Sequence, residues 1–367
     1  MIIIAPQFPP AFKGGGPTKS LHGVCRMFNE EGFEYTVVTK NKDLDGSLLP
    51  EKDFEKKAIY FSKIKIGPLK NLYKDSQLIW INTLYSPTFT IIPILALFFV
   101  RKKTVLLSPR GQLLKGAISL KKIIYLYILK FIVLILWHKI VIHFTNEDEK
   151  KESLPIFSNF KTIVFNNPVF GEVSSNMVLS KNKNNFVISF FGRVSPIKNL
   201  EFILNLIPEL PNETLFEIHG EIEDVAYKER LDVLIEELNI SEQIKFYGNY
   251  TKVNFSKKAQ NVDLFVIPSF SENFCHVFFE AIEQNKIVIA SSGLPWKEAN
   301  NTVKGTILPL EKVAWQLRIN AIYEMSNESY SSEQNKLKEF YSDIKNSVKE
   351  NTINSFKKLR NNYGTKR

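Results

Sequence analysis

Apolar residues fall along the chain in short β-branched runs, separated by longer stretches with helical spacing. That rhythm predicts alternating strands and helices, with the strands buried on both faces of a mostly parallel sheet. Ile2–Ala5, Tyr35–Thr39, Gln77–Asn82, Lys103–Leu107 and Lys139–Phe144 read as strands in the first half. Phe186–Phe191, Phe216–His219 and Ile244–Tyr247 continue the series in the second. A helix is predicted from Thr18 to Glu31, and another opens at FTNEDEK, where acids occupy the first turn. Two denser apolar runs, Phe89–Val100 and Ile123–Trp137, are shorter than the roughly 20 residues a membrane span needs. Pro93 interrupts one and Lys130 the other, and both read as core helices of a large α/β domain. The tail from Glu339 to Tyr363 is helical in pattern.

The stretch Val262–Trp296, VDLFVIPSFSENFCHVFFEAIEQNKIVIASSGLPW, reads as one βαβ unit. Ser269 and Ser271 are good N-cap residues, so a helix is expected to start beside them. Asn285 tolerates the left-handed conformation and should end it, before a second strand at Lys286–Ala290. In open parallel sheets, ligands gather beyond the carboxyl ends of the strands, where helix N-termini meet. The backbone N–H groups of Phe274 to Val277 would suit an anion there. Glu272, in the turn, can accept from sugar hydroxyls, and Glu280, on the helix, from a ribose. Spacing alone favours a structural helix with acids near its positive end.

Other candidates are weaker singly. Arg193 and Lys198 lie five apart in the turn after Phe191 and can reach one diphosphate, or can simply be solvated. Gly14, Gly15 and Gly16 let backbone approach a ligand closely. Their loop is neither a dinucleotide fingerprint nor a P-loop, because Thr18 stands where a P-loop needs Gly before Lys19. Asp43-Leu44-Asp45, followed by Gly46, reads as a turn and not a metal site. Arg110 ends a strand in the segment SPRG, and His219 reads as a strand-end histidine.

SENFCHVFFEA followed by GLPWKEA resembles the donor-site signature of family 4 glycosyltransferases, two glutamates with seven residues between them. GRVSPIKN resembles the second signature of that family, GRxxxxKN, and the resemblance runs along most of the chain. It implies an α/β GT-B fold: two Rossmann-like domains whose parallel sheets face a central cleft. It implies a nucleotide-sugar donor and transfer with retention, the departing phosphate helping to deprotonate the acceptor, without a metal or other cofactor. Carried over residue by residue, Arg193, Lys198 and Glu272 form the catalytic set. Donor binding extends to Gly192, Asn273, Phe274, Cys275, His276 and Glu280, and to Asn249 in the turn that contacts the nucleobase. It also takes in Gly15 and Gly16, in a loop that faces donor phosphates and acceptor. SPRG with LLKGAISLKK resembles members that build surface polysaccharides. Relatives have a His near Arg110 that contacts the donor sugar; the Arg suits donor phosphate or an anionic acceptor instead. The chain departs from the pattern at Cys275 and Asn285, where the family usually has Gly. A side chain at Cys275 either crowds the donor or points away.

A length of 367 residues suits two domains. The expected limits are 1–170, a linker over 171–185, a donor domain over 186–340, and a final helix over 341–367 that crosses back. Two cysteines give no disulfide framework, which suits a reducing compartment, and the five histidines show no zinc spacing. Met1 leads directly into IIIAP, so no secretory signal is expected. The net charge of +10 lies in the first half: residues 1–171 hold 24 Lys and Arg against 13 Asp and Glu, the remainder 24 against 25. From Ser76 to Asn146 there are nine bases and no acid. Nucleic acid lacks a supporting motif. An anionic membrane surface or substrate fits better. The expectation is therefore a cytoplasmic, peripheral enzyme with a saccharide or polyprenyl-linked acceptor. A nucleotide-sugar epimerase on the same fold would need acid/base groups at the sugar that the sequence does not display. A non-catalytic nucleotide-sugar-binding protein would not need Arg193, Lys198, Glu272 and Glu280 together. A dinucleotide oxidoreductase lacks its fingerprint.

Overall fold

The computed structural model describes every residue except 12, 14, 114–119, 137, 154, 170, 172, 174–184, 251 and 365–367. Gly14, Lys115 and most of the expected linker lie outside the described residues. The chain divides into two compact units, Met1–Val169 with Asn346–Arg367, and Phe170–Lys345.

The first unit runs β1 (Ile2–Ile4), α1 (Gly16–Glu30), β2 (Thr36–Lys40), β3 (Ala58–Phe61), α2 (Ile66–Lys74), β4 (Leu78–Ile81) and α3 (Ile92–Leu97). It continues with β5 (Thr104–Leu107), α4 (Leu120–Ile135), β6 (Lys139–Phe144), α5 (Glu147–Glu152) and β7 (Lys161–Val164). Its seven strands pair in the order β3-β2-β1-β4-β5-β6-β7, all parallel. Successive residues serve opposite faces, as the pleat requires. Ile2, Ile4, Ile79 and Ile81 pack into one core, and Ile3 and Trp80 into the other.

A polar chain crosses this second core. The Trp80 indole N–H donates to Ser108 Oγ at 2.7 Å, and Ser108 lies 2.8 Å from His143 Nδ1. His143 Nε2 faces the Phe165 carbonyl at 2.9 Å. A neutral imidazole with its proton on Nε2 satisfies both neighbours, the Ser108 hydroxyl donating to Nδ1 and Nε2–H donating to the carbonyl. His138 repeats the arrangement: Nδ1 accepts from the Lys103 N–H at 2.8 Å, and Nε2 faces the Leu97 carbonyl at 2.9 Å. Burial lowers the pKa of both rings, that of His143 strongly, with Arg110 adding to its depression.

The second unit runs β8 (Phe186–Phe191), α6 (Leu200–Leu204), β9 (Thr214–His219), α7 (Val225–Glu237), β10 (Ile244–Gly248) and α8 (Lys252–Ala259). It continues with β11 (Leu264–Ile267), α9 (His276–Glu283), β12 (Ile287–Ser291), α10 (Ala299–Thr302), β13 (Ile307–Leu308), α11 (Lys312–Glu324) and α12 (Asn327–Gly364). Six parallel strands order as β10-β9-β8-β11-β12-β13. Both sheets reverse direction at one point, between β1 and β4 in the first and between β8 and β11 in the second. Such a reversal leaves a crevice beyond the carboxyl edge. The last helix is longer than its expected tail. Residues up to Lys345 group with the second unit, and those from Asn346 group with the first, where Phe356 meets Phe28 at 4.7 Å and Trp80 at 5.2 Å.

Two sequence expectations need correction. The helix expected beside Ser269 and Ser271 starts at His276, because the Ser269 hydroxyl is engaged with Glu272 and residues 269–275 form a loop. The run Ile123–Trp137 is a core helix on one side only. Of α4, Leu126, Leu129 and Val133 are buried while the opposite side is exposed; Trp137 lies outside the described residues. The run Phe89–Val100 does reach the core, through Phe89, Ile94 and Leu97. Asp43 and Asp45 form the expected turn: Gly46 N–H donates to the Asp43 carbonyl, and Asp45 holds Ser47 and Lys13.

The two neutral histidines make stability depend on pH. Their folded pKa values lie below the unfolded value of about 6.5, so below it the unfolded state binds more protons and stability falls with pH. Each ring can contribute a slope of up to about 1.4 kcal/mol per pH unit. Urea midpoints should drop between about pH 7.5 and 5.5, and His143→Gln should flatten that drop. An unchanged slope in the variant would show that the polar chain does not exclude a proton.

Candidate functional site

In the second unit the loops that leave β8 and β11 lie on either side of the strand reversal. They are tied together at three levels. Phe270 N–H donates to the Ile197 carbonyl at 2.9 Å, and the Asn199 amide donates to the Pro268 carbonyl at 3.2 Å. Between these the Lys198 ammonium pairs with Glu272 Oε1 at 2.5 Å, both side chains being mostly shielded from solvent. The same oxygen accepts from Ser269 Oγ at 2.8 Å. Asn199 sits in the left-handed region at φ 52°, which turns the chain into α6 and aims its amide across the gap.

The loop after β12 closes the other side. Glu272 N–H donates to the Gly293 carbonyl at 2.9 Å, and the Trp296 indole donates to the Phe274 carbonyl at 2.5 Å. Gly293 is required, since a Cβ there would lie 2.4 Å from the Phe270 carbonyl oxygen. Gly220 is required likewise: a Cβ would lie 1.7 Å from the carbonyl oxygen of Gly192, where the loop after β9 presses on the loop after β8.

Cys275 caps α9 in the left-handed conformation, φ 63° and ψ 73°. This is the position where the resembling family has Gly, and the backbone explains that preference. Cys275 is half-buried, and desolvation, with the carboxylates of Glu272 and Glu280, raises its thiol pKa well above the usual range despite Lys198. It is a neutral group on the wall of the site and not a thiolate nucleophile. Tyr250, from the loop after β10, shares this environment: burial and then Glu280, Cys275 and Glu272 push its phenol far up, so it stays a neutral hydroxyl. Its ring stands edge-on to Phe191 at 5.1 Å and packs beside Phe255. Sequence reasoning missed Tyr250; its only local signal is its place directly after Gly248-Asn249.

The structure thus gathers Lys198, Glu272, Cys275, Glu280 and Tyr250. Asn273 and Phe274 continue the loop, and Phe274 contacts the His276 ring at 4.5 Å. Asn249 is exposed beside Tyr250. Arg193 is turned elsewhere, 61% exposed and paired with Glu223. An exposed pair of that kind contributes little, so Arg193 is easily redirected. His219 is a strand-end residue stacked between Phe191 at 4.3 Å and Tyr247 at 4.7 Å. Among the described residues no three His, Cys, Asp or Glu converge as metal ligands.

The first unit carries a second cluster at its own carboxyl edge. Arg110, at φ 56°, is half-buried, donates from Nε to Asn82 at 2.6 Å and from Nη1 to Asn167, and lies 5.5 Å from the Trp80 ring. Its Nη2 has no hydrogen-bond partner among the described residues. Burial lowers its pKa to about 10, which leaves it fully cationic at neutral pH. Glu149 supports the loop by accepting from the Gly111 N–H at 2.5 Å and the Thr145 N–H at 2.6 Å. Gly15 is left-handed at φ 64° and caps α1, which opens at Gly16.

The family model for "Glycosyl transferases group 1" matches residues 175–339. The matched stretch covers β8 to β13 and every second-unit residue gathered above. D-inositol 3-phosphate glycosyltransferase of Mycobacterium ulcerans (strain Agy99) is 30% identical over 125 residues, 33% of this chain and 27% of that one. The protein of that name from Mycobacterium leprae (strain TN) is 30% identical over 125 residues, 33% of this chain and 29% of that one. The chain therefore spans under a third of the length of these curated relatives. Among solved structures, Anabaena HepE in complex with UDP and glucose superposes with a TM-score of 0.71 at 15% identity, over 97% of this chain and 98% of that chain. The glycosyltransferase from Rickettsia africae ESF-5 gives 0.68 at 14% identity, over 98% of each. At these identities the likeness speaks for the fold, which is GT-B: two Rossmann-like units of parallel sheet.

The left-handed cap gives a test on stability. A residue other than Gly in that region costs of order 1 kcal/mol, and more when β-branched. Cys275→Gly should therefore unfold within about 1 kcal/mol of wild type, backbone relief offsetting the lost thiol packing. Cys275→Val should lose about 1–3 kcal/mol in urea titrations. Equal stability of the two variants would place the cap outside the left-handed region.

Proposed function

We propose that this chain is a retaining glycosyltransferase that moves a sugar from a nucleoside-diphosphate sugar to a lipid-linked saccharide during surface-polysaccharide assembly. The observation that carries the reading is the Lys198–Glu272 pair at the strand reversal of the group 1 glycosyltransferase stretch. A leaving nucleoside diphosphate gains negative charge as the glycosidic bond breaks. Lys198 is already fixed there, and Arg193 can swing from its exposed partner to the same anion, so preorganised cations take up that charge. Glu272 orients the sugar hydroxyls and keeps Ser269 as a second neighbour when the diphosphate draws Lys198 away. Glu280 accepts from the ribose, and Tyr250 offers a neutral hydroxyl beside it. Asn249 lies at the nucleobase end, and Gly192, Asn273, Phe274, Cys275 and His276 line the donor. Gly15, Gly16 and Arg110 serve donor phosphate or an anionic acceptor; the Nη2 of a half-buried guanidinium, without a hydrogen-bond partner among the described residues, supports that role for Arg110. The acid-free basic stretch of the first unit fits an anionic lipid surface at the inner face of the cytoplasmic membrane.

A panel of nucleotide sugars scored by thermal shift should identify the donor, since a ligand of the folded state alone raises the melting temperature. Charge-assisted hydrogen bonds to phosphate contribute about 1.5–3 kcal/mol each. Arg193→Ala with Lys198→Ala should therefore lower kcat/KM by a factor on the order of 10² or more while leaving circular dichroism unchanged. Wild-type turnover in that double variant would sink the mechanism.

Metal independence is proposed on the same cations and is checked separately. Turnover should persist in excess chelator. Loss of activity restored by magnesium or manganese would instead assign a metal to the diphosphate.

A further inference from the structure

We propose that α4 is an in-plane insertion helix that seats the first unit in the hydrocarbon boundary of an anionic bilayer. This names the element behind the lipid-surface part of the reading above, and it rests on that part alone, not on sugar transfer. The helix LKKIIYLYILKFIVLI is apolar apart from Lys121, Lys122 and Lys130, yet only one side of it is covered by protein. Leu126, Leu129 and Val133 are buried against the first core. Ile124, Tyr127, Ile128, Phe131, Leu134 and Ile135 point the other way and are between 52% and 66% exposed, and Leu120 at the start is 73% exposed. At about 100° per residue these side chains fill an arc of roughly 120° that contains no polar residue. Lys121 borders the arc on one side and Lys130 on the other.

A soluble monomer rarely leaves so continuous an apolar face in water. Charge decides between the occupants. The helix carries Lys121, Lys122 and Lys130 and no acid, within a stretch that lacks acids from Ser76 to Asn146. A second copy laid on this face would bring lysines against lysines. Anionic headgroups complement them while the arc enters the acyl boundary. Sixteen residues span about 24 Å, and no described helix is long and apolar enough to cross a membrane, so the helix lies along the surface.

The experiment uses the full chain and vesicles of phosphatidylglycerol with phosphatidylcholine, or of phosphatidylcholine alone, at low and high salt. The triple variant Ile124→Ser, Ile128→Ser, Phe131→Ser changes only exposed positions. It should lower partitioning to anionic vesicles at least about tenfold at both salt concentrations. Lys121→Glu with Lys122→Glu should lower it mainly at low salt. Phe131→Trp should show a blue shift and quenching by lipids brominated on the acyl chain. Three results would overturn the proposal: no vesicle binding by wild type, a triple variant that binds like wild type, or a lipid-free dimer that the triple variant dissociates. Nucleotide-sugar thermal shift on the triple variant should be unchanged, so failure here and failure of the donor-site reading are told apart.

Discussion

The Lys198–Glu272 pair exists because the second sheet reverses its strand order between β8 and β11, and the two loops that part there need a bond strong enough to keep a polar crevice shut to collapse. Each partner is mostly shielded, and removing one of two such charges leaves the other desolvated and unpaired, at a cost of several kcal/mol. The pair is not isolated. Ser269 shares the same carboxylate oxygen, and Glu272 is anchored through its own N–H to Gly293. An anion that competes for Lys198 therefore finds a carboxylate that keeps its bond from Ser269, on a residue whose backbone stays tied to Gly293. The cation can be given up without unravelling the loop that holds it.

Much of the fold was legible because parallel strands buried on both faces read as unbroken apolar runs. β1, β4, β5, β6, β8, β11 and β12 all do. β3 and β7 escaped because they are edge strands, half-exposed and flanked by lysines, and β13 because two residues make no pattern. α4 was misread for a different reason. Apolar residues occupy both its covered and its exposed side, so their spacing does not say which side the protein covers.

The site was legible in its residue types and not in its partnerships. Arg193 and Lys198, five apart, suggested a joint grip on one group, yet at rest Lys198 holds Glu272, 74 residues away, and Arg193 holds Glu223. No local rule reports a contact across that separation; the strand order does. Ser269 looked like a helix cap because Ser favours that position, but its hydroxyl bonds to a side chain instead of an orphan N–H. Tyr250 left only its place after Gly248-Asn249 as a signal, next to a strand whose register is irregular between Phe246 and Gly248.

The left-handed residues connect these points. Apart from glycines, Arg110, Asn199, Asn239, Cys275 and Asn285 have positive φ, and Arg110, Asn199 and Cys275 lie at carboxyl-edge loops. Asn tolerates that region through its short polar side chain, and Asn285 ends a helix as its type suggests. Arg and Cys have no such excuse. Each persists because neighbours over-determine the backbone: Asn82, Asn167 and Trp80 around Arg110, the Trp296–Phe274 bond and the start of α9 around Cys275. Strain maintained in that way is found where a particular side chain must face a particular place. At Arg110 the backbone turns a half-buried cation whose Nη2 amino group has no hydrogen-bond partner among the described residues toward the edge of its sheet. At Cys275 it sets a neutral thiol where glycine would leave space, which makes the size of that side chain, rather than its reactivity, the property through which it acts on a bound sugar nucleotide.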